Sequence, residues 1–294
     1  MTKTIIVTDS SAYLPDEMAK QYGLHIVPLY VHFGEQTFRD VDLTSAAFYE
    51  KLRGADSLPT TSQPSVGDFV ELYRRLSQEA EGIVSIHISS GISGTVDSAL
   101  IARQTLIAEA TAAGEKPPAI YVIDSRYTSV ALGLLITAAA RAAAEGRTAE
   151  EVARMVEGLI PRLMVVFVVD TLEYLHKGGR IGGAAALVGS VLQVKPVLYF
   201  NEGRIDVLEK VRTVHKAKRR LLEIMEERMG PGTTVHAAIT HADAPDEAEK
   251  LRQQVVERFN CVEMFICELS PVIATHVGPG TVGLAFYREA RQAR

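Results

Sequence analysis

The chain opens with "TIIVTD", Thr4 to Asp9, an unbroken apolar run that ends in polar residues. Such a run suits a strand covered by helices on both faces, which has no solvent side to alternate toward. Pro15 stands where the first turn of a helix tolerates a missing N–H and predicts a helix start. "LHIVPLYVHF" predicts the next strand, with Pro28 placing it at a sheet edge or a bulge. "DVDLTSAAFYEKL" predicts a capped helix and "LPTTSQPS" a loop. Ser65 and Asp68 then form a capping-box pattern ahead of the helical "VGDFVELYRRL". "GIVSIHI" predicts a strand, "TVDSALIARQTLIAEATAAG" a helix and "AIYVID" a strand. An alanine-rich helix follows from Val130 to Glu145. This alternation is that of a parallel sheet with helices on both faces.

The second half is more mixed. "LMVVFVVD" predicts a strand, "TLEYLHKGGRI" a short helix ending at glycines, and "GGAAALVGSVLQ" a helix of small residues. "KPVLYFNEGRIDVLEKVRT" predicts a hairpin turning at Asn201 to Gly203. "VHKAKRRLLEIMEERM" follows as an amphipathic helix. "TVHAAITHA", a helix from Ala244 to Phe259 and "VEMFICEL" make a further βαβ-like unit, and "PVIATHVGPGTVGLAFYR" predicts two strands around "GPG". A boundary between Glu145 and Arg162 divides the chain into an N-terminal parallel α/β domain, 1–155, of three layers, and a C-terminal α/β domain, 156–294. The second is expected to have two layers and a mixed sheet.

The 294 residues, 47% hydrophobic and 23% charged, suffice for a substantial core and do not describe a disordered chain. A net charge of -5 does not suit a protein that coats nucleic acid, and no helix-turn-helix, zinc-finger or aromatic stacking motif occurs. Cys261 and Cys267 have no metal-ligand spacing and read as buried thiols in a reducing cytosol. The N-terminal "MTKTIIVTDS" does not suit a signal peptide. "IGGAAALVGSVLQVKPVLYF" reaches about spanning length, but Gln193, Lys195 and Pro196 interrupt it, so a buried helix and a strand fit better. A cytoplasmic protein without stable membrane insertion is expected. Charge is uneven: from His176 to Arg220 there are ten Lys or Arg against three acids. That run is a candidate face for an acidic partner, with Arg204, Lys216, Lys218 and Arg219 as docking residues, although most such runs are solvated surface.

In an open parallel sheet, ligands bind beyond the carboxyl ends of the strands. Four hydroxyl-rich loops compete for that position: Thr8 to Ser11, Pro59 to Ser65, Ser89 to Thr95 and Asp124 to Ser129. "GISGT" places glycines around Ser93, but the second comes one residue too early for a nucleophile elbow. A triad would draw on Asp170 and His276. "SSGISGT" has no lysine of the Walker type and no dinucleotide fingerprint. What remains is a strand–loop–helix anion site of hydroxyls and backbone amides, suited to a single carboxylate. The plain alternative is a turn in which Thr95 caps the helix and the serines face water. His276 falls at the end of a predicted apolar strand and reads either as a bonded core residue or as a ligand contact. Arg180, in the turn "HKGGRIGG", is either a carboxylate clamp or a solvated helix end.

The set "TDSSAYLP", "PTTSQPS", "ISSGISGT" with a following "SA", "LEYLHKGGRI", "KPVL" with "GRIDVLEKVRT", and "GPGTVG" occurs in this order from Thr8 to Gly283. Together these motifs resemble those of the DegV family. The resemblance implies a two-domain α/β protein that holds one long-chain fatty acid between its domains, with no further cofactor and no metal. It places the carboxylate at Thr61 and Ser93, with His276 at the same end; Ser62 beside Thr61, and Gly94, Thr95 and Arg180 as accessory positions, are further candidates from the residues themselves. It further implies a non-catalytic binding subunit that presents the carboxylate to a separate fatty acid kinase for acyl phosphate formation. The small-residue helix and "LMVVFVV" are then candidate tunnel walls. About 15 buried methylenes at ~0.8 kcal/mol each would contribute about 12 kcal/mol before ordering costs. A serine hydrolase using Ser93 and His276 stays open as the alternative.

Overall fold

The computed structural model describes residues 3–187 and 194–289, without the side chain of Asp16. The first half runs β1 (Thr4–Asp9), α1 (Asp16–Gln21), β2 (His25–Val27), β3 (Tyr30–Phe33), β4 (Gln36–Arg39), α2 (Ser45–Gly54), β5 (Thr60–Ser62), α3 (Val66–Leu76), β6 (Gly82–His87), α4 (Thr95–Ala113), β7 (Ile120–Asp124), α5 (Ser129–Ala144) and α6 (Ala149–Leu159). The second continues with β8 (Met164–Val168), α7 (Glu173–Lys177), β9 (Lys195–Asn201), β10 (Arg204–Val211), α8 (Val214–Met229), β11 (Thr234–His241), α9 (Pro245–Arg258), β12 (Asn260–Glu268), α10 (Pro271–Val277) and β13 (Val282–Arg288).

The first sheet is parallel, in the order β2-β1-β6-β7. Successive side chains of its strands point to opposite faces. Ile5 and Val7 join Phe69, Tyr73, Ala99 and Ala102 of α3 and α4 on one side, while Ile6, Val84 and Ile86 pack on α5 and α6 on the other. A Cβ on Gly82 would stand 2.5 Å from Ala149 Cβ, so the glycine is what lets α6 lie directly on β6. The second sheet is mixed, in the order β10-β9-β8-β13-β11-β12, with β11 and β12 its parallel pair. Val166, Val168, Leu284 and Phe286 face α8 and α9, whereas Val165 and Ala285 face α5.

α5 therefore lies between the two sheets, packing on β1 and β6 of one and on β11 and β13 of the other. Twelve of its sixteen residues are buried, which explains a sequence that is apolar on nearly every side. The α/β architecture expected from sequence, a parallel sheet followed by a mixed one, is the one observed.

Five local expectations need correction. The run around Pro28 is two strands: β2 ends on the parallel sheet, and β3 begins a separate antiparallel sheet in the order β4-β3-β5. Thr60–Ser62, expected within a loop, forms the edge strand β5, with Thr61 opposite Val31. Three polar residues give periodicity nothing to detect. "PVIATHV" is the helix α10, with Pro271 in its first turn and Ser270 as N-cap, its hydroxyl accepting from Ile273 N. β-branched residues in a seven-residue helix mimic a strand. The small-residue helix is described only as the 3₁₀ turn Gly182–Leu187, and its remainder, 188–193, lies outside the described residues. Of the two thiols, Cys267 is buried and Cys261 half-buried.

The small sheet is tied to α10 by Asp40, which is wholly buried and accepts from Val272 N at 3.0 Å. Burial pushes its pKa from 3.8 up to about 7, against the hydrogen bonds from Val272, Ser10 and Ser270. The folded chain keeps this proton over a range in which the unfolded chain has released it. The resulting stability is fully present below about pH 3.8 and is lost as pH rises through about 7. Asp40→Asn should remove that component. Thermal midpoints measured at about pH 5 and about pH 8 should fall less in the variant than in the native protein. An equal fall in both would show that Asp40 does not hold a proton.

Candidate functional site

Between the two halves lies a cavity of about 850 Å³, counting its open mouth. Its walls are mainly apolar, among them Leu29, Ile88, Val165, Phe167, Phe200 and Ile273. Thr61, Ser62, Ser93, Arg180 and His276 also line it.

The loop bearing Ser93 is set by contacts across the two halves. Ser89 N donates to Tyr127 O at 2.8 Å, and Ser89 Oγ donates to Gly203 O, in the β9–β10 turn, at 2.7 Å. A Cβ on Gly91 would come within 2.5 Å of Gly203 O, so only glycine admits this approach. Ile92 N and Ser93 N then both donate to Ser89 O, closing the turn. The cap of α4 is Gly94, with no side-chain bond, rather than Thr95. Thr95 instead places its hydroxyl 2.9 Å from Ser93 Oγ, and its N–H donates to the same oxygen at 3.4 Å. Either hydroxyl of that pair can be the donor, and with Thr95 N–H donating to Ser93 Oγ, Ser93 is able to turn its own proton to an acceptor in the cavity. Gln63 fills the space beside Gly94, its Nε2 lying 3.0 Å from where a Cβ would stand.

Thr61, from the small sheet, and His276, from the last turn of α10, meet at 2.8 Å through Oγ1 and Nε2. Burial, with Arg180 nearby, pushes the His276 pKa down to about 4, so the ring is neutral at ordinary pH. Its Nδ1 is buried without a partner among the described residues. A buried unmet N–H costs more than a buried unmet lone pair, which assigns the proton to Nε2. His276 then donates to Thr61 and leaves the Thr61 proton for an acceptor in the cavity. Ser62 Oγ is 2.9 Å from His32 Nε2, and His32 Nδ1 is 2.9 Å from Thr37 Oγ1, a chain that fixes the small sheet. Arg180 donates from Nε to Ile92 O at 3.2 Å and from Nη1 to Gly178 O at 2.7 Å. Its positive charge is thus held beside the Ser93 loop.

The residues expected at the head group, Thr61, Ser62, Ser93, His276 and Arg180, are brought together on one cavity wall system. The docking residues are not. Lys216, Lys218 and Arg219 lie on α8, across the second sheet from the cavity. Lys218 is 3.7 Å from Glu247, and Arg219 is 3.0 Å from Glu223. Arg220 engages Glu209, Glu223 and Glu227. Arg204 begins β10, beside Gly91, about 23 Å of strand from the end of β10 that leads into α8. The triad geometry is also missing among the described residues: Ser93 bonds Thr95 rather than His276, no carboxylate accepts from His276 Nδ1, and exposed Asp170 packs against Gly280. No group of three His, Cys, Asp or Glu among the described residues could hold a metal ion, and none of their helices is long and apolar enough to cross a membrane.

The loop Thr8 to Ser11 does not line the cavity; it belongs to a buried network that the sequence reading missed. Asp9 Oδ1 accepts from Ser11 N at 3.1 Å and Ser11 Oγ at 2.5 Å, and Asp9 Oδ2 accepts from Ile88 N at 2.8 Å. His87 Nδ1 lies 3.0 Å from Asp9 Oδ2, His87 Nε2 2.6 Å from Ser85 Oγ, and Tyr73 OH donates to Ser85 Oγ at 2.7 Å. The protons run one way, from Tyr73 to Ser85 to His87 to Asp9. Although these are the residue types of a hydrolase relay, Ser85 is wholly buried and does not line the cavity. The network locks the carboxyl ends of β1 and β6, from which the loops depart. Ser85 and His87 at i and i+2 of one strand, with Asp9 ending another, were the available signal.

A family model described as the DegV family of uncharacterised proteins matches residues 3–289. The chain belongs to the DegV family. A DegV domain-containing protein of Halalkalibacterium halodurans is 42% identical to it over 98% of this chain and 100% of the relative. Among solved structures, a DegV family protein from Thermus thermophilus, described for its fatty acid binding, superposes with a TM-score of 0.89 at 35% identity, covering 98% of this chain and 100% of that one. DegV of Bacillus subtilis, described as a fatty acid binding protein, gives 0.88 at 34% identity, with 98% and 100% covered. In this DegV chain the relay of Tyr73, Ser85, His87 and Asp9 has a stability that can be tested. Ser85→Ala leaves the Tyr73 hydroxyl and the His87 ring nitrogen unpaired in the core. It should lower unfolding stability by about 3 kcal/mol in a urea titration. A loss below about 0.5 kcal/mol would mean that the network does not hold the strand ends.

Proposed function

We propose that this DegV-family protein binds one long-chain fatty acid in the cavity between its halves, as a non-catalytic carrier in the cytoplasm. The observation that carries the reading is that Ser93 and Thr61 both line one apolar cavity, Ser93 Oγ accepting from Thr95 N and Thr61 Oγ1 bonded to His276 Nε2, which lets each hydroxyl donate to an acceptor there. A carboxylate accepts two such bonds, and hydrogen bonds to an ionised acceptor are the stronger kind. Ser62 lines the same cavity, Gly94 is the N-cap of α4 beside Gln63, and Arg180 supplies a positive charge beside the Ser93 loop. The tail buries its methylenes against Phe167, Phe200 and Ile273, so the chain supplies affinity and the hydroxyls supply orientation. Two relatives of about one-third identity described as fatty-acid-binding proteins support the same reading.

We further propose that the carboxylate is presented to a separate kinase, which forms the acyl phosphate. In this reading residues 1–155 and 156–294 act as two domains around the ligand, and Arg204, beside the Ser93 loop, is the cation placed to meet an acidic partner near the site. The α8 cations Lys216, Lys218 and Arg219 would contribute long-range attraction only.

Denaturing extraction of the purified protein followed by mass spectrometry should release one long-chain fatty acid per native chain. The double variant Thr61→Ala with Ser93→Ala should retain at most about a tenth of it, the loss expected for two charge-assisted bonds. Equal retention by the variant would remove the hydroxyls from the site. For the partner, Arg204→Glu should slow acyl phosphate formation by a kinase that accepts the native protein, while the extracted lipid stays the same. Unchanged turnover would exclude Arg204 from the docking face.

A further inference from the structure

The loop Asp124 to Ser129 also reaches the ligand cavity, through Thr128, Ser129 and Val130 at the start of α5. Among the described contacts these residues do not hydrogen-bond Thr61, Ser93 or His276, and the apolar Val130, Val165 and Phe167 line the same cavity. Thr128 is 9% exposed, and its hydroxyl has no hydrogen-bond partner among the described residues. Ser129 Oγ donates to Thr240 Oγ1 at 3.1 Å, so a hydroxyl from the second sheet completes the cluster. No side chain caps α5, a sixteen-residue helix, so its first-turn N–H groups and the positive end of its dipole stand at the same place. A purely hydrocarbon chain leaves this polar pole unmet, and an unmatched buried hydroxyl is costly.

We infer that the cavity has a second polar pole, formed by Thr128, Ser129, Thr240 and the N-terminus of α5, which recognises a hydroxyl group carried on the acyl chain of the ligand. This rests on the fatty-acid reading of the cavity and adds a substrate class to it: long-chain acids bearing a hydroxyl along the chain. A neutral hydroxyl fits better than a second carboxylate. Arg180 and His276 are the lining residues that can carry positive charge; His276 is neutral, and Arg180 stands beside the Ser93 loop. A hydroxyl, by contrast, can accept from the helix N–H groups or from Thr128 and also donate to Thr128. The pole selects position as well as chemistry, because the carboxylate is held at the other cluster and the chain between them has a fixed reach.

The test is displacement of a fluorescent fatty acid from the full-length protein by octadecanoic acid and by a positional series of its monohydroxylated forms covering the whole chain. One isomer, or a few neighbouring ones, should bind about fivefold or more tightly than octadecanoic acid, the ratio expected for one buried hydrogen bond. Thr128→Val should bring that ratio close to one, and Thr128→Ser, which restores a hydroxyl, should keep it. The inference is overturned if no isomer outbinds the plain acid, the result expected if a water molecule occupies the pole. It is equally overturned if the preference survives Thr128→Val. Failure of octadecanoic acid itself to displace the probe would instead contradict the fatty-acid reading on which the inference rests.

Discussion

The hydrogen bond between His276 Nε2 and Thr61 Oγ1 joins residues 215 positions apart and sets the character of the whole site. Its direction follows from the tautomer, with the single proton of the neutral ring on Nε2. Burial and the neighbouring Arg180 charge leave His276 with one ring proton, and the unpartnered Nδ1 assigns it to Nε2. Were the ring to titrate near its ordinary value, Thr61 would face a cation part of the time, and the head group would be held by charge in place of hydroxyl geometry. The glycine turn is part of this device. A Cβ on Gly178 would lie 2.4 Å from His276 Nδ1, so the turn that carries Arg180 packs directly on the ring.

The elements that meet at this bond are short and need support from elsewhere. β5 has three residues and α10 seven, too few for either to be stable alone. Asp40 holds the start of α10 against the small sheet, while the relay ending at Asp9 holds the strand ends beneath the Ser93 loop. Behind both stands α5, which gives the two sheets one shared layer. Rigid sheets thus position mobile-sized pieces, and each piece supplies one hydroxyl or one ring to the cavity. The same helix starts at Thr128 and Ser129, so the shared layer also contributes to the cavity lining.

The parallel sheet, its capped helices and the hairpin turning at Asn201 to Gly203 were legible because long apolar runs and turn residues report directly on burial and backbone geometry. Thr61, Ser93 and His276 were legible chiefly through the ordered motifs, and the structure puts all three on the cavity. What the sequence could not convey depends on length or on partners. β5 is too short and polar to carry a period, and α10 has strand-like residues but a Ser-Pro start that signals a helix. The separation of Arg204 from Lys216, Lys218 and Arg219 was invisible because a charge run says nothing about which sheet face each residue reaches. The neighbouring acids that engage Lys218, Arg219 and Arg220 lie on three different elements. Thr128 was visible as one hydroxyl in a polar loop, but its lack of a partner is a property of the folded interior alone.

In the proposed function, two donated hydroxyl protons hold one ionised carboxylate at Thr61 and Ser93. Carbon nuclear magnetic resonance of the protein loaded with palmitic acid labelled at its carboxyl carbon tests this directly. One bound resonance is expected at the ionised position, not titrating between about pH 5 and about pH 8 and moving when Thr61 is changed to valine. A bound resonance that titrates across that range as a solvent-exposed lipid carboxyl does, or that is indifferent to Thr61→Val, would contradict it.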